Sequence, residues 1–229
     1  MVILPKWTTM RNGLSKQPVD DFMLRWIKLG KVFDPTLWPG PSWMKEFAQA
    51  PCVLAFDEFI RVYFSCRPLP DADGQYISRS GFVDLNRNNL LDVIGVSPTP
   101  TISLGETGSF DEFGTYPTSV IRNGNEIWAY YGGWTRCESV PFNVAIGVAA
   151  SQDQGASFRR LGNGPVLSYS VDEPFILSGP KIRRFNDRWY LFYIAGERWL
   201  PNNGKPEPVY RIRMATSFDG INWTKANVD

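Results

Sequence analysis

Gly108–Trp134 reads GSFDEFGTYPTSVIRNGNEIWAYYGGW. It runs from an acidic loop through Tyr116-Pro117 into an apolar segment ending at Val120 and Ile121. It then reverses at Asn123-Gly124 and returns through Ile127, Trp128, Tyr130 and Tyr131. Asn and Gly tolerate positive φ, so this pair makes a tight hairpin turn. β-branched and aromatic residues fit a pleated, half-buried surface. A hairpin brings its outer ends together. The loop holding Asp111 and Glu112 therefore lies beside Trp134 and Arg136.

The unit recurs upstream as Ala50–Arg67, APCVLAFDEFIRVYFSCR, and downstream as Gly179–Glu197, GPKIRRFNDRWYLFYIAGE. The leading prolines, Pro51, Pro117 and Pro180, are 66 and then 63 residues apart. A second marker keeps the same step: Ser151-Gln152-Asp153-Gln154-Gly155 is matched 66 residues later by Ser217-Phe218-Asp219-Gly220. Two markers with one period are the signature of a repeat architecture. Units over about 47–105, 106–167 and 168–229 follow, each a four-stranded blade, and the fold class is an all-β propeller. In unit one the strands are expected at Cys52–Phe56, Ile60–Cys66, Tyr76–Val83 and Asp92–Leu104. Residues 1–23 form an arm, and 24–229 the propeller domain. Residues 24–33 resemble a fourth strand lacking its first three, and are expected to close the ring. About three and a half blades are fewer than a ring usually has, so the chain looks incomplete, and self-association could complete it.

Composition agrees with many short strands and turns. Of 229 residues, 18 are Pro, 20 Gly, 9 Trp, 9 Tyr and 15 Phe. With 24 Lys and Arg against 23 Asp and Glu, no net field favours nucleic acid or an anionic membrane. No apolar run reaches the roughly 20 residues of a membrane helix, so membrane insertion is not expected. The N-terminus lacks the pattern of a secretory signal. The three cysteines, Cys52, Cys66 and Cys137, read as free thiols of a reducing, cytoplasmic compartment, although Cys52 and Cys66 could bridge across a hairpin. The chain has no histidine, which removes His-dependent triads and imidazole metal ligands. No phosphate-binding glycine loop, metal site or cofactor is expected.

The period, the Pro-led inner strands, the aromatic second strands and the Ser-x-Asp turns resemble the five-bladed β-propeller glycosidases of the arabinanase, β-xylosidase, invertase and mannoside-phosphorylase type. GSFDEFGTYPTSVI, YYGGWTR and VDEPFILSGPKI are also similar to uncharacterised propellers among polysaccharide-processing proteins. The resemblance spans about residues 24–229 and implies a carboxylate pair at the channel mouth. In the arabinanase type an Asp precedes the inner-strand Pro, and a Glu-Gly-Pro supplies the acid. Here Ala50, Tyr116 and Gly179 precede the prolines, with Ser178 in place of that Glu. The usual catalytic set is absent from those positions.

Propeller connectivity sorts the remaining candidates. Asp57, Glu58, Glu126, Asp153, Asp187 and Asp219 fall at the turn end, where Asp caps its own turn. At the other end, Asp111, Glu173 and Glu197 are the candidate catalytic carboxylates. Glycoside hydrolysis needs two, about 5 to 9.5 Å apart. Gln49, Arg67, Tyr116, Trp134, Arg136 and Trp199 are the candidate substrate-binding residues, since Trp rings stack on sugar faces while Arg and carboxylates bond hydroxyls. Each carboxylate has a structural alternative as an ion-pair or loop residue. The expected partner is an oligosaccharide or polysaccharide. Hydrolysis by displaced carboxylates is the leading expectation. Non-catalytic glycan binding, phosphorolysis and glycosyl transfer are the alternatives.

Overall fold

A computed structural model describes residues 26–226. The chain divides after Gly30, and the unit from Lys31 onward holds all the strands described. Twelve strands build three antiparallel sheets, each in simple up-and-down order. Blade one is β1 (Glu46–Ala55), β2 (Phe59–Arg67), β3 (Arg79–Asn86) and β4 (Asn89–Val96). Blade two is β5 (Gly114–Asn123), β6 (Glu126–Arg136), β7 (Phe142–Ser151) and β8 (Arg159–Arg160). Blade three is β9 (Phe175–Phe185), β10 (Arg188–Asn202), β11 (Lys205–Ser217) and β12 (Thr224–Lys225). Among the described residues there is no helix, and none that is long and apolar enough to cross a membrane.

The Asn123-Gly124 reversal joins β5 to β6, with Asn123 opposite Glu126. Blade one departs from expectation at its fourth strand, which stops at Val96 rather than Leu104. Pro98 and Pro100 have no N–H for a ladder. The chain there crosses to blade two, where Ile102 bridges Phe158 in parallel and Phe158 N–H donates to the Thr101 carbonyl at 2.8 Å. Of the strand expected over 24–33, residues 24 and 25 lie outside the described residues and 26–33 carry no strand. A fourth strand forms only on the edge of a third, and each described sheet already has its own. Cys52 is in register with Tyr63 and Cys66 with Arg79, so the two thiols are not opposed, and all three cysteines are free.

The blades stack through alternating faces of their second strands. Tyr63, Phe82, Val120, Ile127, Tyr131 and Phe158 fill the layer between blades one and two. Tyr130, Ile146, Leu177, Trp189, Leu191 and Tyr193 fill the layer between two and three. Trp128 and Trp189 stack at 5.9 Å between centroids. Burying one such side chain contributes about 1.5–3 kcal/mol.

Each layer also carries one repeated polar tie. The Tyr63 hydroxyl donates to the Gly155 carbonyl at 3.0 Å, and the Tyr130 hydroxyl to the Gly220 carbonyl at 2.9 Å. Both glycines close a Ser-x-Asp turn. Ser151 Oγ accepts from Gly155 N–H, and Ser217 Oγ from Gly220 N–H. Asp153 takes the Ser151 and Ser157 hydroxyls, while Asp219 takes the Ile221 and Asn222 N–H groups. These hydrogen bonds hold the Asp219 carboxyl well below its ordinary value. Glycine is required at both positions twice over. φ is +77° and +78°, and a Cβ would stand 2.1 and 2.6 Å from the tyrosine oxygens.

On blade three the place of Tyr63 and Tyr130 falls to Phe192, which is 40% exposed. Its face, with Ile212 and Tyr210, is uncovered among the described residues. The ties therefore predict unequal costs. Tyr130→Phe leaves the Gly220 carbonyl without its donor and should cost about 1–3 kcal/mol in urea unfolding. Phe192→Tyr on the open face should change stability by less than about 0.5 kcal/mol.

Candidate functional site

The inner strands β1, β5 and β9 lie side by side, with β5 between the other two. Thr118 Oγ1 donates to the Pro180 carbonyl at 2.9 Å, and Ile182 N–H to Ser119 Oγ at 3.0 Å. At the residues flanking the prolines, the Tyr116 and Ser178 hydroxyls meet at 2.5 Å. Burial pushes the Tyr116 hydroxyl well above its ordinary value, and the Ser178 bond works against that rise. The two positions where the family resemblance leads one to look for acids thus hold a neutral hydroxyl pair.

Beside this pair a pocket of about 250 Å³ opens between blades one and two. Gln49, Ala50, Ser65, Arg67, Ser78, Tyr116, Trp134, Phe142 and Val144 line it. Four of the six expected binding residues, Gln49, Arg67, Tyr116 and Trp134, come together there. Local backbone explains their aim. β1 has register shifts on both sides of Gln49, with positive φ at Phe47 (63°) and Ala50 (52°). Such bulges redirect a side chain, and strain of this kind clusters at functional sites.

Across β5 and β6, Tyr116 pairs with Gly132 and Trp134 with Gly114. The two rings lie against the opposing backbone. A Cβ at Gly132 would come within 2.4 Å of Tyr116 Cζ, and one at Gly114 within 1.7 Å of Trp134 Nε1. Gly114 on β5 and Gly132 on β6 are therefore what let two aromatic rings lie flat at the pocket.

The other two expected binding residues are placed elsewhere. Arg136 donates to the Tyr76 carbonyl at 2.9 Å, stands 3.6 Å from Asp71 and lines a separate surface groove. Trp199, on the long β10–β11 hairpin, packs edge-on against Phe142 at 5.9 Å, behind the pocket wall.

None of the three candidate carboxylates lines the pocket. Asp111 is 1% exposed. Its Oδ2 accepts from the Tyr131 hydroxyl at 2.9 Å and from Arg160 Nε at 2.8 Å, and its Oδ1 from Ser109 Oγ at 3.0 Å. Glu173 repeats the arrangement one blade on. It accepts from the Tyr193 hydroxyl at 2.8 Å, and Lys225 Nζ stands 2.5 Å from Oε2. In both, carboxylate and tyrosine are 20 residues apart. Burial, and after it the carboxylate, raises both tyrosine hydroxyls well above their ordinary value, so they serve as donors. Glu197 is half-buried and pairs with Arg211 at 2.6 Å.

Sequence reasoning missed the Ser65, Ser78, Phe142 and Val144 walls, which carry no repeat marker. It also missed Glu46, in register with Arg67 across β1 and β2. Among the described residues no group of three or more Cys, Asp and Glu is placed to hold a metal ion.

The carboxylate, tyrosine and cation sets join a loop, a second strand and a fourth strand within one blade. Asp111→Asn should therefore destabilise the fold by about 2–4 kcal/mol, the cost of breaking a buried pair discounted for the partial exposure of Arg160. Urea denaturation measures it. An unchanged midpoint would show that the brace carries no stability.

No family model matches the chain. Two curated proteins of Mycobacterium tuberculosis, from strains CDC 1551 and H37Rv and both uncharacterized, are each 31% identical to it over 203 residues. The match covers 88% of this chain, and the chain spans 64% of the length of these relatives. Among solved structures, the Bombyx mori GH32 β-fructofuranosidase is similar at a TM-score of 0.55 and 19% identity, over 79% of this chain and 35% of that one. A thermostable family-43 glycoside hydrolase is similar at 0.55 and 18%, over 85% and 58%. A structure from the GH130 family of mannoside phosphorylases and β-1,2-mannosidic hydrolases is similar at 0.55 and 15%, over 80% and 50%. These likenesses are likenesses of fold, and in fold the chain resembles the β-propeller glycosidases and phosphorylases, of whose architecture it forms three blades.

Proposed function

We propose that the protein is a carbohydrate-active propeller that binds an oligosaccharide or polysaccharide in the pocket between blades one and two. The observation that carries this reading is the lining. Two flat aromatic rings, Tyr116 and Trp134, stand with an amide, a guanidinium and two serine hydroxyls around one apolar-walled cavity. Rings of this kind cover the C–H faces of sugars, and the polar groups pair with hydroxyls. The glycosidase and phosphorylase neighbours supply an analogy of fold, which does not by itself decide function.

Binding without hydrolysis suits this geometry best. Asp111 and Glu173 are each held by a tyrosine and a cation within their own blades, and the pocket lining contains no carboxylate. The hydrolytic reading keeps Asp111, Glu173 and Glu197 as acid and base, and draws on the glycoside hydrolases among the structural neighbours. It requires those ion pairs to open toward a ligand.

A glycan array on the purified chain, followed by titration of any hit, tests the proposal. A defined glycan should bind, and Trp134→Ala should weaken it by about thirtyfold or more, as for a central aromatic anchor. A hit indifferent to Trp134→Ala would place the site elsewhere. Turnover of the bound glycan that Glu197→Gln or Glu173→Gln abolishes, with folding intact, would favour the hydrolytic reading instead.

A further inference from the structure

Arg67 is the one charged residue in the pocket lining. Its guanidinium lies 4.9 Å from the Phe47 ring centroid and 5.1 Å from that of Tyr76. The Phe47 and Tyr76 rings meet edge to face at 6.0 Å. Aromatic faces hold a guanidinium by cation–π attraction and fix its plane. Its Nε is buried and has no hydrogen-bond partner among the described residues, and no carboxylate there forms an ion pair with it. Glu46 faces Arg67 across the strand pair but forms no ion pair with it, and its Oε2 is buried without a hydrogen-bond partner among the described residues. The comparable arginine of blade two, Arg136, is committed to the Tyr76 carbonyl and to Asp71.

A half-buried guanidinium whose donors are unspent is costly to keep. Its planar fork matches a planar or tetrahedral oxyanion. We propose that Arg67 receives an anionic group of the ligand, the carboxylate of an acidic sugar or a phosphate, at the floor of the pocket. This deepens the glycan reading and rests on it for the sugar, though not for the anion. Phe47 and Tyr76 set the plane of the fork, and Gln49, Ser65 and Ser78 border it with neutral donors and acceptors. No Asp or Glu in the lining opposes an incoming anion.

The test titrates the intact chain with glucuronate, glucose and inorganic phosphate, following the indole N–H of Trp134 by NMR. Glucuronate should bind about tenfold or more tighter than glucose, the range of one charge-assisted hydrogen-bonded pair. Arg67→Gln should erase that preference, and Arg67→Lys should retain part of it. Phosphate that displaces glucuronate and binds tighter identifies a phosphate group as the natural anion. Phosphate that fails to displace it identifies the acidic sugar. Equal binding of glucuronate and glucose, unchanged by Arg67→Gln, overturns the inference and leaves the glycan pocket standing. Arg67-dependent phosphate binding with no response to either sugar does the reverse. Silence to all three probes overturns both.

Discussion

The hydroxyl of a second-strand tyrosine reaching the turn glycine of the next blade is the contact on which the described architecture depends. It occurs twice, from Tyr63 to Gly155 and from Tyr130 to Gly220. It demands a tyrosine on one blade and, on the next, a glycine at positive φ with no Cβ. It also demands a Ser and an Asp that present the glycine carbonyl inward. A buried carbonyl without a donor is expensive, so tie and turn stand or fall together. The tie fixes how closely successive blades approach, and the aromatic layers between them fill the space it sets.

Fixing the blades in this way brings the starts of β1 and β5 and the ends of β2 and β6 together, and the pocket is their junction. Its chemistry follows from what each strand can spare there. Gly114 and Gly132 give up side chains so that Trp134 and Tyr116 lie flat. The bulges around Gln49 turn its amide in. The acids that the fold's resemblance places before the inner-strand prolines are replaced by Ala50, Tyr116 and Ser178-Gly179. The carboxylates nearest in sequence, Asp111 and Glu173, are drawn into the blades to join loop, second strand and fourth strand. Among the described residues blade one has no such brace: Met44, Phe64 and Cys66 are buried together there, and burial pushes the Cys66 thiol up to about 12.

The blades were legible in the sequence because their markers are local. Proline, Asn-Gly, alternating aromatics and Ser-x-Asp turns each act through their own few residues. The fourth strand of blade one reads too long in the sequence because the parallel crossing at Ile102 is a tertiary contact that propensity does not register. At the site, Gln49, Arg67, Tyr116 and Trp134 converge because connectivity alone places strand ends. An ion pair is open to Asp111 in the sequence, but its partners Tyr131 and Arg160 are not legible there, since they depend on which face of β6 a side chain takes and on a cation 49 residues away. The equal spacing of Asp111 to Tyr131 and Glu173 to Tyr193 was the one trace of it in the sequence. Phe142 and Val144 became pocket walls through inter-blade packing, which leaves no mark at all.

Hydrogen–deuterium exchange of the chain with and without a bound oligosaccharide tests the central claim, that the ligand sits at the meeting of blades one and two. The account predicts new protection confined to residues 46–50, 65–67, 76–78, 114–116 and 132–136. Protection centred instead on the turn end, around residues 56–58, 123–126 and 151–157, would contradict it.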